Sequence, residues 1–143
     1  MARLKLNLPE TFAFATHIPV RITDMNYGGH VGNDTILSLL HEARVQYLQQ
    51  HQLAELDFAG VGLIMSDVCI EYKDELFYGE DLKAYVTAGD FGRVYFTIYY
   101  KLVKVVAGTE VVIALAQTGM VCYNYTIKKV VSIPEAAKQL LLS

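Results

Sequence analysis

What most restricts this chain is a single long helical pattern standing among segments that otherwise read as strands. It closes the stretch from Arg21 to Gln50, RITDMNYGGHVGNDTILSLLHEARVQYLQQ. From about Asp34, the residues Ile36, Leu37, Leu40, Ala43, Tyr47 and Leu48 fall on one helix face centred near Leu40. Asn33 or Asp34 can cap the start, and acidic Asp34 suits the positive end of the helix dipole. The pattern fades near His51, and Asp57 to Gly60 reads as loop. Ahead of the helix an extended segment ends at Asp24, and Gly28-Gly29 supplies a tight turn that permits positive φ or a close approach by ligand. A polar, glycine-bearing loop running into the only long helix is where chemistry is expected.

The strands follow from alternation. Phe12 to Ile22 predicts a first strand, with Pro19 tolerable on an edge. Val61 to Tyr72 and Leu82 to Ala88 predict two more, separated by Gly79-Glu80-Asp81. Arg93 to Val106 sets Val94, Phe96, Ile98, Tyr100 and Leu102 on one face and Tyr95, Thr97, Tyr99 and Lys101 on the other. Ala107-Gly108 turns directly into Val111 to Tyr125, which makes a hairpin, and Lys128 to Ser132 continues the last strand. Pro134 to Leu142 reads as a short helix with proline at its start. Hairpin connections around one helix specify an α+β fold with a mainly antiparallel sheet.

Composition narrows the function. Residues 1–143 are read as one domain, long enough for a buried core. The chain is 53% hydrophobic and 19% charged, with no run near the roughly 18 uninterrupted apolar residues of a membrane span. The opening MARLKLNLPETF lacks the apolar centre and cleavage site of a signal peptide, so a cytoplasmic location is expected. A net charge of −3 with a pI near 5.7 argues against nucleic acid as a partner. Cys69 and Cys122 lie in apolar runs and read as buried thiols of a reducing compartment. No set of His, Cys, Asp and Glu has metal-ligand spacing, and neither Ser38 nor Ser66 sits in a nucleophile elbow. So apolar a chain is expected to cover part of its surface with another subunit.

Several short motifs then carry a resemblance. Val20-Arg21, Asp24, Gly29-His30-Val31 and Asn33 match, in order, a pattern of the form V-R-x-x-D-x-D-x-x-G-H-V-N-N, with Asn26 at its second aspartate, and Glu42-Ala43-Arg44 stands where a following E-x-A-R is expected. Glu71-Tyr72, Gly79-Glu80-Asp81, Gly92-Arg93 and Ile133-Pro134 extend it, so that it covers Phe12 to Pro134. In these residues the chain resembles the hotdog-fold thioesterases of the 4-hydroxybenzoyl-CoA thioesterase type. The resemblance implies an antiparallel sheet wrapped around one long central helix, paired into a dimer, or a tetramer of paired dimers. It implies acyl-CoA thioester hydrolysis at the subunit interface, with no metal or redox cofactor and coenzyme A entering only as part of the substrate. The thioester carbonyl is expected to face backbone N–H groups at the helix start, where Asn33 stands seven positions after Asn26. Gly29, His30 and Val31 would contact substrate. Arg93, and Lys73 less directly, would meet the CoA phosphates, and Tyr95 and Tyr99 would line an acyl pocket or pack.

The chain departs from the pattern at its second aspartate, the family's nucleophile or general base, which is Asn26 here. An amide accepts no proton near neutral pH, though it can hold a carbonyl or orient a water. Asp24 could supply the carboxylate if Asp24 to Asn26 is extended, since residues two apart then share a face. Alternatively it braces the loop. A second hotdog class places an acid on the helix about fifteen positions later, which falls at His41, with Glu42 next. Helix geometry favours His41, at the edge of the buried stripe, while family chemistry favours an acid; Glu42 also belongs to E-x-A-R, a motif that supports the fold or dimer. His30 could contact ligand or hydrogen-bond nearby backbone. Two functions remain in view, an acyl-CoA thioesterase and a non-catalytic acyl-CoA or acyl-ligand binding protein.

Overall fold

In the computed structural model, which describes residues 3–143, one long helix, α1 (Asn33–Gln50), lies in the hollow of a six-stranded antiparallel sheet. The strands are β1 (Phe14–Ile18), β2 (Gly62–Tyr72), β3 (Leu82–Gly89), β4 (Tyr95–Val106), β5 (Thr109–Asn124) and the two-residue β6 (Lys129–Val130). Their order across the sheet is β1-β3-β4-β5-β2, with β6 pairing to the end of β5. A second helix, α2 (Glu135–Leu142), follows Pro134.

Alternation decides which face meets the helix. Phe96, Ile98, Tyr100 and Leu102 of β4 are fully buried, and the last three pair in register with Ala88, Val86 and Ala84 of β3. Against them α1 sets Leu40, Ala43, Tyr47 and Leu48, all without solvent contact. The stripe matches the expected one except at Leu37, which is 38% exposed, while Leu39 is buried as well. The sheet curls enough to hold a helix because two bulges bend it, one between Met65 and Asp67 in β2 and one between Leu102 and Val103 in β4.

The first strand is shorter than Phe12 to Ile22. It stops at Ile18, before Pro19, which has no N–H to continue a ladder, and Ile22–Asp24 forms a 3₁₀ turn instead. The C-terminal ends of β1 and β2, the end of β4 and the start of β3 therefore gather at the end of the sheet where α1 begins. Edge strand β2 has β5 on one side and no strand on its other side among the described residues. Among the described residues, no helix is long and apolar enough to cross a membrane.

Candidate active site at the start of the central helix

Asp24 bolts the loop that leads into α1. Its carboxylate, only 4% exposed, accepts the Arg21 backbone N–H at 2.8 Å, and the Arg21 guanidinium stands 3.5 Å away. Its carbonyl takes the Gly32 N–H at 3.4 Å, so the two ends of the loop meet on one residue. Because Ile22–Asp24 is a 3₁₀ turn, the extended backbone that would set Asp24 and Asn26 on one face is not present.

Asn26 closes the turn beyond it. Its backbone N–H donates to the His30 carbonyl at 2.8 Å, and its side-chain Oδ1 accepts the N–H groups of Gly28 at 2.9 Å and His30 at 3.3 Å. Those two donors dictate which way the amide points, leaving Nδ2 as the side of Asn26 free to face a ligand. Gly29 sits at φ +83°, a conformation that needs glycine in so tight a turn. Val31 is buried and donates to the Leu76 carbonyl at 2.8 Å, which ties the loop to the segment between β2 and β3.

The helix begins without a side-chain cap. Gly32 is the N-cap, and neither Asn33 nor Asp34 performs the expected capping: Asn33 is already helical, and the Thr35 and Ile36 N–H groups return to the Gly32 carbonyl. The backbone N–H groups of Asn33 and Asp34 have no partner among the described residues. They are two open donors at the positive end of an 18-residue helix. A Cβ at Gly32 would lie 2.6 Å from Asp34 Oδ1, so a side chain there would push the Asp34 carboxylate aside, while Asn26 Cβ at 3.5 Å would be in ordinary contact. Tyr72 donates its hydroxyl to the Asn33 carbonyl at 2.9 Å; burial, reinforced by Asp34, raises that hydroxyl above its ordinary range.

His30 stands beside this loop, 28% exposed at its side chain. Its Nδ1 lies 3.0 Å from the Val31 carbonyl and its Nε2 lies 3.8 Å from Glu75, with the ring edge against Phe77. Glu75 was not among the residues singled out from sequence, and nor was Lys104, which holds the Glu75 segment in place. The buried Lys104 ammonium donates to the Glu75 carbonyl at 2.7 Å and to the Glu80 carboxylate at 3.2 Å. Its signal was present: Lys104 continues the inward register of Phe96 to Leu102, where a charge must have partners.

The other candidates lie elsewhere. His41 and Glu42 are about 12 Å along the helix axis from Asn33. They flank an open groove of about 410 Å³ with Arg21, Ser38 and Val45. Glu42 accepts from Gln46 at 2.7 Å, and His41 stands 3.4 Å from Glu55. Lys73 leaves β2 at the site end of the sheet and pairs with Glu71 at 2.7 Å, which holds that carboxyl below its usual range. Arg93 precedes the far end of β4, roughly 30 Å of strand from Lys104, and donates to Ser132 at 3.0 Å. Tyr95 and Tyr99 lie on the sheet face away from α1, where their rings cover Gly119 and Gly89.

The fold recurs in solved structures. A 1,4-dihydroxy-2-naphthoyl-CoA thioesterase from Synechocystis superposes with a TM-score of 0.81 at 20% identity, covering 91% of this chain and 96% of the other. The 4-hydroxybenzoyl CoA thioesterase of a Pseudomonas strain does so at 0.80 and 13% identity, covering 91% and 99%. A gentisyl-coenzyme A thioesterase gives 0.76 at 18% identity, covering 90% and 99%. These likenesses establish the hotdog architecture. No curated protein sequence matches the chain. The sequence model of the thioesterase-like superfamily matches residues 20–141, nearly the whole length. The chain with the open-ended helix beside Asn26 and His30 therefore belongs to the thioesterase-like superfamily.

Proposed function

We propose that the protein is an acyl-CoA thioesterase, hydrolysing an acyl- or aroyl-CoA to the free acid and coenzyme A. The observation that carries this reading is the pair of unpartnered N–H groups at Asn33 and Asp34 beside the outward side of the Asn26 amide. A thioester carbonyl held there would meet fixed donors where its oxygen becomes negative. Gly29, His30 and Val31 form the wall of that site. Lys73, at the same end of the sheet, is the better placed cation for a CoA phosphate; Arg93 would serve only from another subunit. The free edge of β2 and the exposed Leu37, Val45 and His41 on α1 favour a homodimer or a tetramer of paired dimers. His41 or Glu42 would reach a thioester only across such an interface.

A second reading has its own support. Asn26 replaces the aspartate of the family pattern, and one solved neighbour is an aspartate-to-asparagine variant of 4-hydroxybenzoyl CoA thioesterase complexed with 4-hydroxybenzoyl CoA. A protein of this kind can hold an acyl-CoA as a binder without turning it over. Release of free thiol from short, long and aromatic acyl-CoAs separates the two. Turnover on any member supports the enzyme. No turnover by the parent, together with a raised Tm in the presence of CoA esters and hydrolysis by Asn26→Asp, would replace the enzyme with the binder.

A further inference from the structure

We infer that His30 is the general base that stands in for the missing aspartate, with the Glu75 carboxylate as its positioning partner. The inference rests on the thioesterase reading and adds the residue which that reading lacks. Four observations on one loop lead to it.

The first is position. Asn26 and His30 bond to each other's backbone, so His30 is tied to the residue whose chemistry needs replacing. The second is space. A methyl group built on Gly28 would lie 3.3 Å from Asn26 Oδ1 and 3.6 Å from His30 Nε2. Glycine thus keeps open a spot beside His30 Nε2, which a side chain at position 28 would cover. The third is tautomer. With Nδ1 at 3.0 Å from the Val31 carbonyl, which can only accept, the proton of a neutral ring belongs on Nδ1 and the lone pair on Nε2. The fourth is the carboxylate. Glu75 faces Nε2 at 3.8 Å and is 60% exposed, close enough to orient the ring and distant enough to leave Nε2 accessible. Lys104 anchors the Glu75 backbone carbonyl rather than its carboxylate, so the acid stays available.

The step is balanced. A water held by His30 Nε2 attacks the thioester carbon while Nε2 takes one of its protons, and the oxygen that becomes negative is held by the helix-start N–H groups. Collapse of this intermediate breaks the C–S bond. The imidazolium returns its proton to the departing CoA sulfur, leaving the carboxylic acid and CoA thiol. Asp24, buried and engaged, takes no part, and His41 lies two helical turns away.

The test uses the full chain and the acyl-CoA panel. His30→Asn keeps an amide nitrogen for the Val31 carbonyl and has nothing at Nε2, so it is expected to fold with the parent Tm. It should lose about 10²–10⁴-fold in kcat, with KM held. Gly28→Ala, which fills the spot, should likewise lower kcat at an unchanged Tm. Glu75→Gln should give a smaller fall in kcat with KM unchanged. Should His30→Asn prove unstable, imidazole added to His30→Ala decides: renewed turnover supports the base and none overturns it. A parent that hydrolyses acyl-CoA while His30→Asn keeps its kcat overturns the inference and leaves the thioesterase standing. A parent inert on every ester overturns both.

Discussion

Two histidines eleven residues apart each stand beside a glutamate, and the two pairs are built for different purposes. At the middle of α1, Glu55 is shared: Arg44 donates to it at 2.7 Å while His41 approaches at 3.4 Å. Arg44 is itself buried and also donates to the Tyr100 hydroxyl at 3.2 Å, which lies 2.7 Å from that of Thr118. That network runs from the loop after α1 through the helix into β4 and β5. At the start of α1, Glu75 has His30 as the one side-chain partner of its carboxylate among the described residues, at 3.8 Å and in solvent. A buried guanidinium must have its acceptors or the fold suffers, so the inner pair is used up by stability. The outer pair is held from behind, through the Glu75 backbone and the Val31 carbonyl, and leaves the Glu75 carboxylate in solvent. Arginine ownership of the carboxylate is what separates a structural His–Glu pair from an available one.

The largest effect expected from breaking this contrast is at Arg44. Arg44→Ala would take the guanidinium from the Glu55 carboxylate and the Tyr100 hydroxyl, leaving them only His41 and Thr118. It should cost about 3 kcal/mol, the low end for a broken buried pair because Glu55 keeps some solvent. The fall in Tm would be on the order of 10 °C. Glu75→Gln, measured alongside, should stay within about 0.5 kcal/mol of the parent. Equal losses at the two sites would erase the distinction.

Asp24 tests whether the outer site is braced rather than self-supporting. Asp24→Ala removes the acceptor of the Arg21 N–H, and urea unfolding should register a loss of about 1–2 kcal/mol. Turnover should fall with it, since the loop loses the residue that joins its ends. A stable variant with parent stability would mean that the Asn26 turn holds itself.

The smallest effect belongs to Tyr47, whose ring is packed in the core against Phe14 while its hydroxyl makes no hydrogen bond among the described residues. Burial pushes that hydroxyl up to about 12, with the nearby Ala88 backbone pulling weakly the other way. Tyr47→Phe deletes a buried polar atom at little cost in shape. Calorimetry should find it neutral or more stable by up to about 1 kcal/mol. A clear loss would show that the inner face of α1 depends on that hydroxyl after all.

Much of the fold was legible from local patterns. The alternation of Phe96, Ile98, Tyr100 and Leu102, the Ala107-Gly108 hairpin and the helix from Asn33 each follow from periodicity against one buried face, where slipping by a residue would expose the core. The polar loop before α1 was expected to be the place for chemistry; Asn26 and His30 bond to each other within it, and Asn33 opens the helix that follows. Local rules failed at its edges. Proline and the Asp24 bolt ended the first strand early, and Gly32 rather than an Asn or Asp side chain became the N-cap.

What only tertiary structure decided is which polar groups face one another. Glu75 comes to His30 because Leu76 receives the Val31 N–H and Lys104 fastens the segment from a strand far along the chain. His41 is set beside Glu55 because a loop folds back under the helix after Leu53, which donates to the Leu48 carbonyl. Hydrophobic periodicity is written residue by residue, since each side chain is sorted by the face it occupies. A hydrogen bond between distant loops has no period. It exists only once the core has set the distance between them, and in this protein that distance separates the pair that holds the fold from the pair left exposed to solvent.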